Sequence, residues 1–259
     1  MKNSIKIATP ISHLFDNGKL SSQIISLSDC LECRDHSVDK DFKSQELFHS
    51  DLQPIHKFSR EDIDSLIKIK SEKLDLKLIS FHLASCYAKP KVKNGIFHPN
   101  GIKISIGELK HNAQVNIKKI KEIFGKNISI SVENNNYYKT EAYDYITDPD
   151  FISSIVYDND INFLFDISHA RISAINSGVD FYKYLSKLPL NRVNQIHVSK
   201  EEIDSDGEVF DAHELPSDEE TKEIIKFIKK YNTLEYITIE YYKDPFKLVN
   251  YLTRLKKII

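Results

Sequence analysis

Short apolar runs alternate with longer amphipathic stretches along most of this chain. Runs of this length, rich in branched and aromatic residues, are typical of buried β-strands. Seven are clear, at residues 4–8, 28–33, 76–84, 128–133, 162–167, 193–199 and 236–241. The run at 28–33 is the weakest of them, and residues 102–106 form a doubtful eighth.

The stretches between these runs carry the capping residues of helices. Ser59 precedes one of them, and Ser105-x-x-Glu108 and Ser217-x-x-Glu220 are capping boxes that open two others. Helices are therefore predicted at residues 59–74, 105–124 and 217–231, with a last one following residues 244–245 to the C-terminus.

Alternating strands and helices favour parallel pairing through helical crossovers. Seven or eight such units in 259 residues predict an α/β fold with a single domain over residues 1–259. The specific expectation is a (β/α)₈ TIM barrel, either complete or with one degenerate strand between residues 86 and 106. No G-x-G-x-x-G motif follows the first strand, which argues against a dinucleotide-binding sheet.

Composition narrows the class of protein further. The net charge is −2, and Lys is interleaved with Asp and Glu along the chain. The sequence therefore shows no basic stripe of the kind that binds nucleic acid. No apolar run approaches the ~20 residues that span a bilayer, so no membrane association is expected. With three cysteines and an N-terminal stretch unlike a signal peptide, a cytoplasmic location is expected.

Residues that bind metals recur where the predicted strands end. Five lie on or directly after a strand and three lie slightly further on. They are His82, Glu133, Asp166, His197 and Glu240, followed by His169, Asp211 and His213. In a barrel, all carboxyl ends of the strands meet at one face, where the active sites of this fold are built.

Taken singly, each of these residues is more often a core histidine or a helix cap than a ligand. Together, four carboxylates and four imidazoles buried at one face would be very costly without cations. Carboxylate and imidazole suit Fe, Zn and Mn, and eight ligands exceed the needs of one ion. The sequence therefore predicts a site for two or three divalent metal ions.

Other candidate ligands are weaker. Cys30-x-x-Cys33 has no second cysteine pair to complete a zinc site. His13, His49 and His98 are spare histidines that fit surface loops, although any of them could complete a site.

At these residues the chain resembles the xylose-isomerase-like metal-dependent TIM barrels. Within that superfamily, several short sequence segments are similar to those of the multinuclear non-heme iron-dependent oxidative enzymes. The similar segments are VENNNYY, FLFDISHARISAINSGVDFYKYL, QIHVS, FDAHELP and ITIEYY, which lie between residues 97 and 244.

The resemblance implies an oxygen-dependent enzyme with two or three irons as cofactors. Its substrate would be a cysteine-containing, ribosomally made peptide, often delivered by a partner protein. The family also has two histidines on strands three and four. His82 matches one of them, which leaves His98 or His13 to supply the other.

Three other functions remain open. A sugar or cyclitol isomerase or epimerase would use Glu133 and Glu240 as ligands and proton carriers around one ion such as Mn. A phosphodiesterase resembling the type IV AP endonucleases would use three Zn ions, although the neutral charge balance disfavours DNA. A barrel that kept only the fold would bind a partner without metal. No catalytic or substrate-binding residue is assigned beyond these ligands.

Overall fold

Eight parallel strands close into a barrel in the computed structural model, which describes residues 5–16, 18–205 and 207–259. In chain order the strands are β1 (Lys6–Pro10), β2 (Cys30–Arg34), β3 (Leu47–Ser50), β4 (Leu78–His82), β5 (Lys91–Lys93), β6 (Ile96–His98), β7 (Ser129–Glu133), β8 (Asn162–Asp166), β9 (Val193–Val198), β10 (Lys200–Ile203), β11 (Val209–Glu214) and β12 (Tyr236–Ile239). The barrel order is β1-β12-β9-β8-β7-β4-β3-β2, while β5–β6 and β10–β11 are antiparallel hairpins. The predicted α/β TIM barrel is confirmed.

Helices surround the barrel and join its strands. They are α1 (Gly18–Leu27), α2 (Arg60–Glu72), α3 (Ile106–Phe124), α4 (Pro149–Asp158), α5 (Ile167–Ser177), α6 (Phe181–Leu185), α7 (Asp218–Ile228) and α8 (Pro245–Leu255). Ser59, Ser105 and Ser217 cap α2, α3 and α7 as predicted, and each side chain accepts a backbone N–H three residues on. Among the described helices, none combines the length and apolarity that crossing a bilayer needs.

The eighth barrel strand was predicted at the wrong place. It is β3, which pairs with β2 and β4. Residues 102–106 instead lead into α3, with Ile102 largely exposed and Ile104 buried, so their alternation reflects a half-buried connection. The degenerate strand expected between residues 86 and 106 is also wrong, because that segment folds into the β5–β6 hairpin. Ser4, the first residue of the first predicted strand, lies outside the described residues.

Alternation along each strand divides the barrel wall into an apolar outer layer and a polar inner layer. Phe48 and Phe81 are fully buried in the main apolar core. Their neighbours His49, Ser80 and His82 alternate with them and therefore point to the other side of the wall. The carboxyl ends of the strands thus bring polar side chains to a single face.

Candidate metal centre

All eight residues predicted as metal ligands meet at the carboxyl-terminal face of the barrel. His82, Glu133 and Asp166 end β4, β7 and β8, His197 lies on β9, and Glu240 follows β12. His169 lies in the first turn of α5, and the β10–β11 hairpin carries Asp211 and His213. We call this group, with its cavity of about 460 Å³, the cup.

Side-chain contacts connect these residues without a break. Glu133 is at the centre, with Oε2 lying 3.0 Å from Nδ1 of His82 and Oε1 lying 3.0 Å from Nδ1 of His197. His197 Nδ1 lies 3.4 Å from Glu240 Oε2, which is 3.8 Å from Nε2 of His213.

The outer part of the cup is organised around Asp211. Its Oδ2 lies 3.2 Å from Nε2 of His213 and 3.3 Å from Nε2 of His169. His213 has a positive φ of 46°, a conformation that non-glycine residues rarely adopt and that clusters at functional sites. His169 Nδ1 lies 3.9 Å from Asp166 Oδ2, which links this part to the inner residues.

A ninth residue, His49 on β3, belongs to the same cup. Its Nε2 lies 3.4 Å from Glu133 Oε2, and its ring packs edge-on against His82 at 4.2 Å between centroids. His49 on β3 and His82 on β4 thus lie side by side in the cup, whereas His98 or His13 was expected to accompany His82. Neither His98, on β6, nor His13, in an exposed 3₁₀ turn, contacts the cup within the described part of the chain.

For three of the histidines, hydrogen bonds fix which ring nitrogen faces the cup. His49 Nδ1 is 2.8 Å from Ser80 Oγ, His169 Nδ1 donates to the Asn134 carbonyl at 2.9 Å, and His197 Nε2 is 3.0 Å from Glu32 Oε2. The opposite nitrogen of each ring is left for a ligand. Outer partners of this kind orient the histidines of metal sites.

A backbone contact holds the Asp166 carboxylate in the same way. Asp166 Oδ1 caps α5 by accepting the His169 amide at 2.7 Å, which leaves Oδ2 directed at the cup. Asn134 accepts from the Asp166 N–H and donates to its carbonyl, each at 2.9 Å, and so ties β7 to β8.

Glu32 and Arg34 on β2 contact residues of the cup, and the sequence reasoning missed both of them. The Arg34 guanidinium lies 2.7 Å from Glu32 Oε1 and also contacts Glu240 Oε1. Burial alone would raise the pKa of Glu32, but the charges of His197 and Arg34 outweigh it and lower the pKa to about 2. Glu32 is therefore an ionised group that orients His197 while Arg34 compensates its charge.

The electrostatics of the cup match a cation site. Burial alone lowers the pKa of His197, but the charges of Glu240 and Glu32 outweigh it and raise the pKa well above its usual value. Burial likewise raises the pKa of Asp166 to about 8, although His169 opposes the shift. Without cations the protein must protonate imidazoles and a carboxyl group to limit the negative charge it has buried.

Buried atoms that make no hydrogen bond show whether these side chains fit a metal. Four buried atoms that belong to these residues make no hydrogen bond within the described structure. They are His49 Nε2, Glu133 Oε2, Asp166 Oδ2 and His197 Nδ1. Buried polar groups are normally paired, so these nitrogens and oxygens fit divalent ions such as Fe, Zn or Mn.

Cys30 and Cys33 take no part in the cup. Both thiols are buried in the barrel wall, and burial raises the pKa of Cys33 to about 12. A thiol in that state is a poor metal ligand and nucleophile.

Solved structures with the same barrel include sugar epimerases. The 3-keto-D-glucoside 4-epimerase YcjR from E. coli superimposes with a TM-score of 0.64 at 13% identity, over 98% of this chain and 100% of that one. The D-psicose 3-epimerase from Clostridium cellulolyticum H10 gives 0.57 at 10% identity, over 98% of both chains. Identities this low show a shared fold only.

Sequence relatives point to one family. A UPF0276 protein of Acaryochloris marina is 30% identical over 106 residues, which are 41% of this chain and 37% of that protein. One from Bordetella pertussis is 28% identical over 102 residues, 38% of this chain and 35% of its own. The matches thus span little more than a third of these relatives.

A family model described as "RiPP precursor modification enzyme MbnB/TglH/ChrH" matches residues 55–258. The chain belongs to the MbnB/TglH/ChrH family of RiPP precursor modification enzymes.

Proposed function

We propose that this protein is an oxygen-dependent enzyme that uses two or three iron ions to modify a cysteine of a ribosomally made peptide. The observation that carries the proposal is the number of ligand groups in one cup. His49, Glu133 and His197 form one group of possible ligands, and Glu133, Asp166 and His169 form another. The Asp211–His213 pair adds to them, so the cup holds more ligands than one ion needs. The family description supports the peptide as substrate.

The inner two groups both include Glu133. His49 and His82 would hold one ion with one oxygen of Glu133, and His197, Asp166 and Glu240 would hold a second with the other oxygen. Glu133 would therefore help to hold both ions.

The outer group would hold a third ion. Its members are His169, Asp211 and His213, and Asp166 lies beside them. His213 is one-third exposed, so this ion would be the one nearest to solvent.

Bound iron would supply the redox chemistry by which oxygen oxidises a substrate thiolate. The protein's own side chains would bind the ions and orient the substrate. His82, one quarter exposed, lines the cavity from the open side, whereas His49 and His197 are almost fully buried below it. A substrate thiol entering the cavity would thus reach His82 before the buried His49 and His197.

The epimerase alternative explains less of the cup. A single ion held by Glu133, Asp166, His197 and Glu240 would leave His49 and the Asp211–His213 pair without a role. The alternative still makes a clear prediction, because it requires one Mn or Co per chain rather than several irons.

Metal content tests these functions against one another. After anaerobic purification we expect two to three irons per chain by elemental analysis, whereas three Zn would favour the phosphodiesterase and one Mn or Co the epimerase. Replacing His213 with Ala should remove about one ion and leave the fold intact, since the inner ligands remain. His98→Ala is the matched control and should change nothing. An unchanged metal content in the His213 variant would mean that the hairpin pair is only a polar loop.

Glu32 should affect metal binding without touching the metal. Glu32→Gln keeps the shape of the side chain but weakens the acceptor that orients His197 Nε2, so we expect iron affinity to fall by about tenfold. Competition with a chelator followed by iron analysis measures this change. Equal affinities in the variant and the wild type would show that the Gln195 contact is enough to orient His197.

A further inference from the structure

The β5–β6 hairpin is a basic patch in a chain that is otherwise slightly acidic. Residues 76–107 contain no Asp or Glu, and four lysines lie in or beside the hairpin. Lys103 pairs with Asp144 at 2.5 Å. Lys89, Lys91 and Lys93 are exposed and form no ion pair within the described residues. The hairpin therefore presents three uncompensated positive charges.

This hairpin stands at the rim of the cup. Its turn residue Gly95 and the adjacent Phe97 line the same cavity as the proposed ligands. Asn94 and Gly95 both have positive φ, as a tight two-residue hairpin turn requires. A chain that ran along β5 toward this turn would arrive at the cavity.

One edge of the hairpin is fastened to the barrel. On β6, the Phe97 N–H donates to Tyr143 Oη at 3.0 Å, and the Phe97 carbonyl accepts from Thr140 Oγ1 at 2.7 Å. The backbone of Phe97 therefore points away from β5. Because Phe97 lies opposite Val92, these two form a non-hydrogen-bonded pair of the antiparallel ladder.

The other edge of the hairpin is open. In a non-hydrogen-bonded pair both residues direct their main-chain groups outward, so the N–H and C=O of Val92 face away from β6. None of the described backbone groups pairs with them, and the Val92 side chain is 63% exposed. An unpaired edge strand of this kind is a template for a further strand.

We propose that the β5 edge docks an acidic, extended segment of the peptide substrate and leads it into the cup. This inference rests on the proposed function, since it assumes a peptide substrate. Main-chain hydrogen bonds to Val92 give the segment its direction by strand addition. Lys89, Lys91 and Lys93 select for Asp or Glu by charge complementarity.

Peptide binding by the full chain tests this proposal. The probe is a fluorescein-labelled peptide of about eight residues that alternates Glu with Thr, and its counterpart has Lys in place of Glu. Fluorescence anisotropy at low salt should show binding of the acidic peptide only. The triple variant Lys89→Gln, Lys91→Gln, Lys93→Gln should weaken that binding by about tenfold or more. A variant with the same charge change on the outer helices, Lys118→Gln, Lys222→Gln, Lys226→Gln, should leave it unchanged.

A proline substitution separates strand addition from simple charge attraction. Val92→Pro removes only an outward N–H, which edge strands tolerate, and should weaken binding, whereas Val92→Thr should not. Equal binding by the wild type and the lysine variant, or no binding of the acidic peptide at all, would overturn the docking edge. Iron content is measured on the same samples. If the wild type holds two to three irons but peptide binding does not depend on the three lysines, the docking edge alone is contradicted. If the wild type holds no iron, the proposed function is contradicted.

Discussion

Replacing Glu133 with Gln is expected to abolish the proposed oxidative activity and to reduce the proposed two to three irons to about one ion per chain. Glu133 lies within 3.4 Å of three histidines, His49, His82 and His197, so it belongs to both inner ligand groups. The amide of Gln has one oxygen and no negative charge, and cannot bridge two cations as a carboxylate does. Asp211 and His213 contact His169 and Glu240 rather than Glu133, so the outer group should keep its ion.

The loss of activity should exceed about 100-fold, since second-sphere changes alone cost up to that much in metal sites. Iron analysis and oxygen consumption with a cysteine-containing peptide measure the two effects. Glu141→Gln, at an exposed carboxylate beside Lys103, is the matched control. A Glu133 variant that kept all of its iron would contradict the assignment of Glu133 to both inner ligand groups.

The fold and most of the cup were readable from sequence because their signals are strong. Long apolar runs and capping boxes marked seven strands and the main helices. Glu133, Asp166 and His197 each stand out as a polar residue closing an apolar strand. Buried strands of parallel sheets are mostly apolar, so a polar residue at their end indicates function.

The first part of the barrel was harder to read, for a physical reason. β3 has only four residues, and its inward position is taken by the polar His49, so little apolar pattern remains. On β2 the inward Glu32 and Arg34 break the pattern in the same way. Residues that serve the site thus weakened the strand signal that would have located them. The segment 102–106 contributes no polar side chain to the site, so its apolar pattern resembled a strand more closely than that of β3 did.

Arg34 is expected to stabilise the fold more than any exposed ion pair does. Its guanidinium compensates two buried carboxylates, Glu32 and Glu240. Replacing Arg34 with Met keeps an apolar stem of similar length but leaves both acids without their cation. Removing one partner of a buried ion pair typically costs about 3–5 kcal/mol. For a chain of this size that corresponds to a fall in Tm of roughly 6–20 °C.

Thermal unfolding of the metal-free protein measures this effect directly, because bound iron would itself compensate Glu240. The control is Arg192→Met, which breaks a pair of similar length, 2.8 Å to Asp160, on the exposed surface. Exposed pairs contribute about 0–1 kcal/mol, so the Tm of the control should fall by no more than about 4 °C. Arg34→Lys should recover part of the loss, since an ammonium can reach one carboxylate but cannot match the two-sided contact of a guanidinium. Equal Tm values for the Arg34→Met and Arg192→Met variants would mean that Glu32 and Glu240 are neutral in the folded protein.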